Sequence, residues 1–224
     1  MAELHTLRTS THGRYLVEPA GPSARGLLVG FHGQGETAAT ELEHLQGIRG
    51  DRAWALVSVQ GLHRYYTRRG DVVAAWMTRE DRELAIADNI AYVRAVLDEV
   101  KGTMAKAPTP VVCCGFSQGT AMAYRTAAFS GHPIDGLIIL AGDVPPDVAS
   151  ASVTLPPVLL GRGASEEWYT GEKAALDVAR LRDAGVKVVE HVFDAGHERH
   201  PSFTQRAGQF LDELAKALEP KAGA

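Results

Sequence analysis

Apolar residues in this chain fall into short continuous runs separated by stripes at helical spacing. Gly26 to Phe31 reads Gly-Leu-Leu-Val-Gly-Phe, the pattern of a strand buried on both faces. Thr37 to Ile48 follows, with Leu42, Leu45 and Ile48 on one helical face. Trp54 to Val59 is the next strand. Thr78-Arg79-Glu80-Asp81 predicts a helix start with Thr78 as cap and acids in the first turn. That helix runs to about Val100, with Leu84, Ile90, Val93, Val96, Leu97 and Val100 as its buried stripe. Val111 to Gly115 predicts a strand, Ser117 to Phe129 a helix, and Leu137 to Ala141 and Val158 to Gly161 two more strands. Ala174 to Ala184 reads as a helix, Lys187 to Phe193 as a strand, and Ser202 to Leu218 as the closing helix. At the start, Leu4 to Ser10 and Arg14 to Glu18 flank Thr11-His12-Gly13, which predicts an antiparallel hairpin. Gln60 to Thr78 predicts a long loop rich in arginine and aromatics, and the tail Glu219 to Ala224 is expected to be loose.

Strands alternating with helices argue an α/β fold: a mostly parallel central sheet with helices on both faces. No repeat or linker interrupts the pattern, so one domain is expected over residues 1–224, with its core from about 4 to 218. That length leaves little room for a large cap domain. In such sheets ligands bind beyond the carboxyl ends of the strands, which directs attention to the segments after Phe31, Gly115, Gly161 and Phe193.

Composition narrows the class. The chain is 45% hydrophobic and 22% charged, which argues against disorder. Its net charge of -4 carries no basic excess, so nucleic acid is not an expected partner. Cys113 and Cys114 are adjacent in a strand, where neighbours point to opposite faces, so they read as buried hydrophobes rather than a disulfide or metal pair. The first residues lack a basic region followed by an apolar one, and no apolar run approaches a membrane span. A cytoplasmic protein without membrane insertion is the expectation; monomer and homodimer are both compatible with the sequence.

Gly115-Phe116-Ser117-Gln118-Gly119 matches G-x-S-x-G in the strand-turn-helix context that makes the pattern meaningful. Ser117 is therefore the candidate nucleophile. The flanking glycines are read as relief of crowding on a sharp turn. Acyl transfer also needs donors for the tetrahedral oxyanion. The main-chain N–H of Gln118 is one candidate, and that of Gln34, in Phe31-His32-Gly33-Gln34-Gly35-Glu36, is the other. Since the Gln118 donor is main chain, Gln118→Ala is expected to keep much activity. His32 reads as a structural residue that orders this loop. The base should be a histidine late in the chain, after a strand; His197 is preferred over His200 because Gly196 frees the backbone before it. His191 reads as a strand residue. The orienting acid should follow the strand ending at Gly161, which offers Glu166 and Glu167, with Glu166 preferred and Asp143 a further candidate; Asp194 lies too near His197 along the chain. Trp76, Tyr65 and Tyr66 are read either as substrate-lining or as loop anchors.

With these stations in order, the sequence resembles the α/β-hydrolase fold. In particular it is similar to the small phospholipase/carboxylesterase group that includes acyl-protein thioesterases. The resemblance rests on Phe31-His32-Gly33-Gln34-Gly35, Gly115-Phe116-Ser117-Gln118-Gly119, Ala195-Gly196-His197 and Leu140-Ala141-Gly142 with its following prolines, and covers about Gly26 to Leu218. It implies cofactor-free hydrolysis of a small-molecule ester or thioester. The chain departs from the group where an Asp is usual, reading Gly163-Ala164-Ser165-Glu166-Glu167. The expected function is a carboxylesterase with a Ser-His-acid triad and an acyl-enzyme. The alternatives are an acyl thioesterase or lysophospholipase on the same site, a peptidase or lyase on the same scaffold, and a non-catalytic binding module of the same fold.

Overall fold

A computed structural model describes residues 1–21, 24–104 and 110–218; the tail Glu219 to Ala224 lies outside the described residues. The first elements are β1 (Arg14–Glu18), β2 (Gly26–Phe31), α1 (Ala38–Arg49) and β3 (Trp54–Gln60). A hairpin of β4 (His63–Tyr66) and β5 (Val72–Ala75) comes next, then α2 (Arg82–Thr103), β6 (Val111–Phe116) and α3 (Gln118–Phe129). The chain continues through β7 (Gly136–Leu140), the short α4 (Pro146–Ala149), β8 (Val158–Gly163), α5 (Gly171–Asp183), β9 (Val188–Phe193) and α6 (Pro201–Leu218).

Seven strands form the main sheet in the order β1-β3-β2-β6-β7-β8-β9, parallel throughout except for β1. Buried side chains alternate along the strands into two clusters. Leu27, Val29 and Phe31 of β2 join Val93 and Leu97 of α2, Met122 of α3 and Val178 of α5 on one face. Leu28 joins Leu45 and Ile48 of α1 and Phe203, Phe210 and Leu211 of α6 on the other. Cys113 belongs to the first cluster and Cys114 to the second, both free thiols, as the strand geometry requires. No helix among the described residues is long and apolar enough to cross a membrane.

Three elements differ from the sequence reading. Residues 4–10 form no strand, and Leu4 and Leu7 are exposed. β1 pairs instead with β3, in the register Tyr15↔Val59 and Val17↔Val57. An isolated two-stranded hairpin is marginal, whereas joining β3 extends a packed sheet. Thr78 does not cap α2. The cap position is Asp81, held at φ 46° without a side-chain cap bond, while the Thr78 hydroxyl closes a turn onto the Glu80 N–H. The segment from Gln60 to Thr78 is not an open loop. β4 and β5 pair antiparallel around a turn at Thr67–Gly70, and Ala74 bridges to Glu36. Arg69-Gly70-Asp71, between two runs of β-forming residues, is the signal for that hairpin.

The strand order reverses between β2 and β6, because β3 lies outward on one side and β7 on the other. That switch point opens a crevice at the carboxyl ends of β2 and β6, where Gln34 and Ser117 follow.

Packing gives a direct check of the fold. Ile138, fully buried in β7, should cost about 2–5 kcal/mol on Ile138→Ala. Leu176, exposed on α5, should cost under about 0.5 kcal/mol on Leu176→Ala. Urea denaturation midpoints read both; comparable shifts would contradict the layer assignment.

Candidate active site

Ser117 leaves β6 and enters α3 through a backbone of φ 51° and ψ -120°. A non-glycine residue there costs about 1–2 kcal/mol. Neighbouring bonds hold it. The Ser117 N–H donates to Leu140 O at 2.9 Å, and the Thr120 hydroxyl donates to Ser117 O at 2.7 Å. The turn is tight enough to need glycine on both sides. A Cβ on Gly115 would come within 2.5 Å of Gly119 O, and one on Gly119 within 1.9 Å of Phe31 O. Ala141, at φ 56°, and Gly142 pack against the same turn; a Cβ on Gly142 would sit 2.0 Å from the Thr120 hydroxyl.

The turn delivers the Ser117 hydroxyl to the histidine loop. His197 Nε2 lies 2.9 Å from Ser117 Oγ, and His197 Nδ1 lies 2.7 Å from Glu166 Oε2. The ring sits between Phe116 and Trp168. Glu166 Oε1 accepts the N–H groups of Trp168 at 2.8 Å and Tyr169 at 3.2 Å. Burial pushes the Glu166 carboxyl up, but those two N–H groups and the His197 ring outweigh it and hold the acid below its ordinary range. The carboxylate that touches His197 is therefore Glu166 and not Glu167, which lines the cavity. His200 is turned away, stacked on Phe193 with Nδ1 against the Ser202 hydroxyl. His191 also contacts Ser202.

Gln34 stands at the tip of the loop after β2. Gly35, at φ 81°, donates its N–H to Ala74 O at 2.9 Å, and the Gly33 N–H donates to Glu36 Oε2 at 2.7 Å. Among the described residues, neither the Gln34 nor the Gln118 N–H has a protein acceptor, and both residues line the same cavity as Ser117. His32 is wholly buried. Its Nδ1–H donates to Gly33 O at 2.7 Å and Nε2 accepts the Gly61 N–H at 3.0 Å, so the neutral ring ties the loop to the end of β3. Burial lowers its pKa accordingly.

The aromatic expectations divide. Trp76 is fully buried, donates Nε1–H to His32 O at 2.8 Å and packs edge-on to Phe31, so it anchors the loop and does not line the cavity. Tyr65 does line it, while Tyr66 projects away and is exposed. Gln118 carries a task that its main-chain reading missed. Its side chain accepts the Trp76 N–H at 2.8 Å and donates to Met77 O at 3.1 Å, clamping the end of β5 to the start of α3.

Arg199, two residues after His197, was also missed. Its guanidinium donates to both oxygens of Glu36, reaches Glu41 Oε2 of α1 at 2.6 Å and lies 4.3 Å over the Phe116 ring. The oxyanion-loop candidate, the nucleophile turn and the histidine loop thus share one cation. Nothing in the spacing of these residues marks the contact; only the acid three residues after Gly33 and the arginine beside His200 could have suggested it.

The chain matches the Phospholipase/Carboxylesterase family profile over residues 12–215. A putative esterase of Nocardia uniformis subsp. tsuyamanensis is 31% identical over 145 residues, 63% of this chain. The match spans only 40% of that protein's own length. Esterase PE8 has a similar fold, with 23% identity, coverage of 91% of this chain and 100% of that one, and a TM-score of 0.75. A carboxylesterase from Mesorhizobium loti gives 20% identity, 92% and 98% coverage and a TM-score of 0.75. An acyl-protein thioesterase 2 from Zea mays gives 18% identity, 91% and 100% coverage and a TM-score of 0.70.

Burial raises the Glu41 carboxyl from 4.5 to about 7 despite Arg199. Between those values the folded chain binds more protons than the unfolded one, so this group makes stability fall as pH rises from about 4.5 to about 7. Glu41→Gln should remove that component in urea titrations at pH 5 and pH 8. Arg199→Met should cost about 3–5 kcal/mol at pH 8, because it leaves the buried Glu41 carboxylate without its cation, and less at pH 5. A Glu41→Gln protein with the wild-type pH dependence would contradict this placement of the charge.

Proposed function

Because the chain belongs to the phospholipase/carboxylesterase family, we propose that it hydrolyses carboxylic esters with Ser117 as nucleophile, His197 as general base and Glu166 as the orienting acid. The observation that carries this reading is the unbroken relay from Glu166 through His197 to Ser117, with contacts of 2.7 and 2.9 Å, at the wall of a cavity. Glu166 holds the imidazole with Nδ1 protonated, which leaves Nε2 free to take the Ser117 proton. The alkoxide attacks the ester carbonyl. The Gln34 and Gln118 N–H groups, both without a protein acceptor, serve the oxyanion, aided by the positive end of α3. His197 then returns its proton to the departing alcohol, and water attacks the acyl-enzyme by the same route. Glu166 can play its part across neutral pH because its carboxyl is held ionised.

A binding module of the same fold would have no use for the strain at Ser117 or for an ionised acid buried behind His197. Both serve a nucleophile that must be presented and activated.

With 4-nitrophenyl butyrate as substrate, Ser117→Ala should lower kcat/KM by about 10⁴-fold or more. Glu166→Gln should lose roughly 10²- to 10⁴-fold, far more than Glu167→Gln. Equal losses at positions 166 and 167 would reassign the acid, and an active Ser117→Ala protein would end the proposal.

A further inference from the structure

The cavity that contains Ser117 has a volume of about 1430 Å³. That exceeds the roughly 300–1,000 Å³ of an ordinary small-molecule site. The reacting ester needs only the part beside Ser117 and His197, so the rest is available to a distal portion of the substrate. Its lining is not neutral in layout. The exposed Arg64 of β4, Arg79 before α2 and Arg82 at its first position all line the cavity, as does His63. The acids on the wall are Asp143, Glu166 and Glu167. These follow β7 and β8, on one side of the nucleophile strand β6, whereas the β4–β5 hairpin departs from β3 on the other. Glu166 is also committed to His197.

The three arginines are not absorbed by the fold. The salt bridges of the described residues engage other arginines, and none reaches Arg64, Arg79 or Arg82. Arg64 donates only to the His12 carbonyl, at 3.3 Å. Arg82 feels Asp147, but that carboxylate is already held by Arg125 through Nε and Nη2, at 2.8 Å each. Arg82 is moreover the first residue of α2, where a cation opposes the helix dipole at a cost of about 0.3–1 kcal/mol. Asp81 before it provides no side-chain cap and adopts φ 46°. Glu83 in the first turn complements that dipole, so the cation at Arg82 is not what starts the helix; it lines the cavity instead.

We propose that this wall is an anion subsite, and that the enzyme selects esters bearing a carboxylate or phosphate away from the scissile bond, bound by Arg64, Arg79 and Arg82. The inference rests on Ser117 being the nucleophile. Binding energy from such a remote group holds the ester carbonyl at Ser117 and raises the rate of the chemical step.

The test uses two matched ester pairs. 4-Nitrophenyl hydrogen glutarate against 4-nitrophenyl methyl glutarate places the charge on the acyl side. The butyrate ester of 3-hydroxybenzoate against that of 3-hydroxybenzamide places it on the alcohol side. In at least one pair the anionic ester should have a kcat/KM about tenfold or more higher at low salt. That ratio should shrink in 0.5 M NaCl and fall toward one in Arg64→Gln/Arg79→Gln, while Arg68→Gln, on the hairpin turn outside the cavity, keeps it. Turnover without a charge preference in either pair, or a preference that survives the double substitution, overturns the anion subsite alone. No turnover of any of the four esters overturns the hydrolase reading and the subsite with it.

Discussion

The arrangement around Ser117 depends on one backbone constraint: a residue with a side chain held at φ 51° between β6 and α3. The conformation lifts the hydroxyl off the sheet toward His197 and points the first N–H groups of α3 at the same space. It persists because the surroundings leave no alternative. Glycines at 115, 119 and 142 let β2, β7 and α3 close on the turn at distances no Cβ would allow. Carbonyl and hydroxyl partners on Leu140 and Thr120 fix its polar groups. Strain of this size in one residue is small against the burial of the strands on either side.

The loops that meet the turn are held by charge rather than by packing alone. Arg199 sits half-buried between two carboxylates, one of them the fully buried Glu41, and over an aromatic ring, so its three contacts are mutually dependent. A hydrophobic cluster of equal volume would have cost less to bury. The guanidinium, however, binds directionally, and its fork reaches Glu36 behind the Gly33 N–H while its own main chain carries His197 two residues away. Relative placement of Gln34, Ser117 and His197 is thereby tied to one group. The hairpin β4–β5 is secured in the same manner, through the Gln118 side chain and the Trp76 indole. Arg64 of that hairpin lines the cavity.

Much of this was legible in the sequence, for reasons that can be stated. Continuous apolar runs announce buried parallel strands, and β2, β3, β6, β7 and β8 follow them closely. The serine turn was readable because its glycines answer a local steric demand. His197 and Glu166, chosen from the order along the chain expected of a serine hydrolase, are brought into contact with each other, and His197 with Ser117. The N-terminal hairpin was misread because β1 has the same local pattern whichever strand it joins; the choice of β3 is tertiary. The Thr78 cap failed because Asp81 takes up a left-handed conformation that no cap rule anticipates. Trp76 could not be separated from Tyr65 by sequence, since both are aromatic residues of one segment and only burial distinguishes anchor from lining. Arg199 left no periodic signal at all, because its partners lie 158 and 163 residues away.

The measurement that bears most directly on the central claim is covalent labelling with a fluorophosphonate probe, followed by mass spectrometric mapping of the modified peptide. A nucleophile presented by the strained turn and activated by His197 predicts one adduct per chain, on Ser117. A folded protein that stays unlabelled, or an adduct mapped to any other residue, would contradict it.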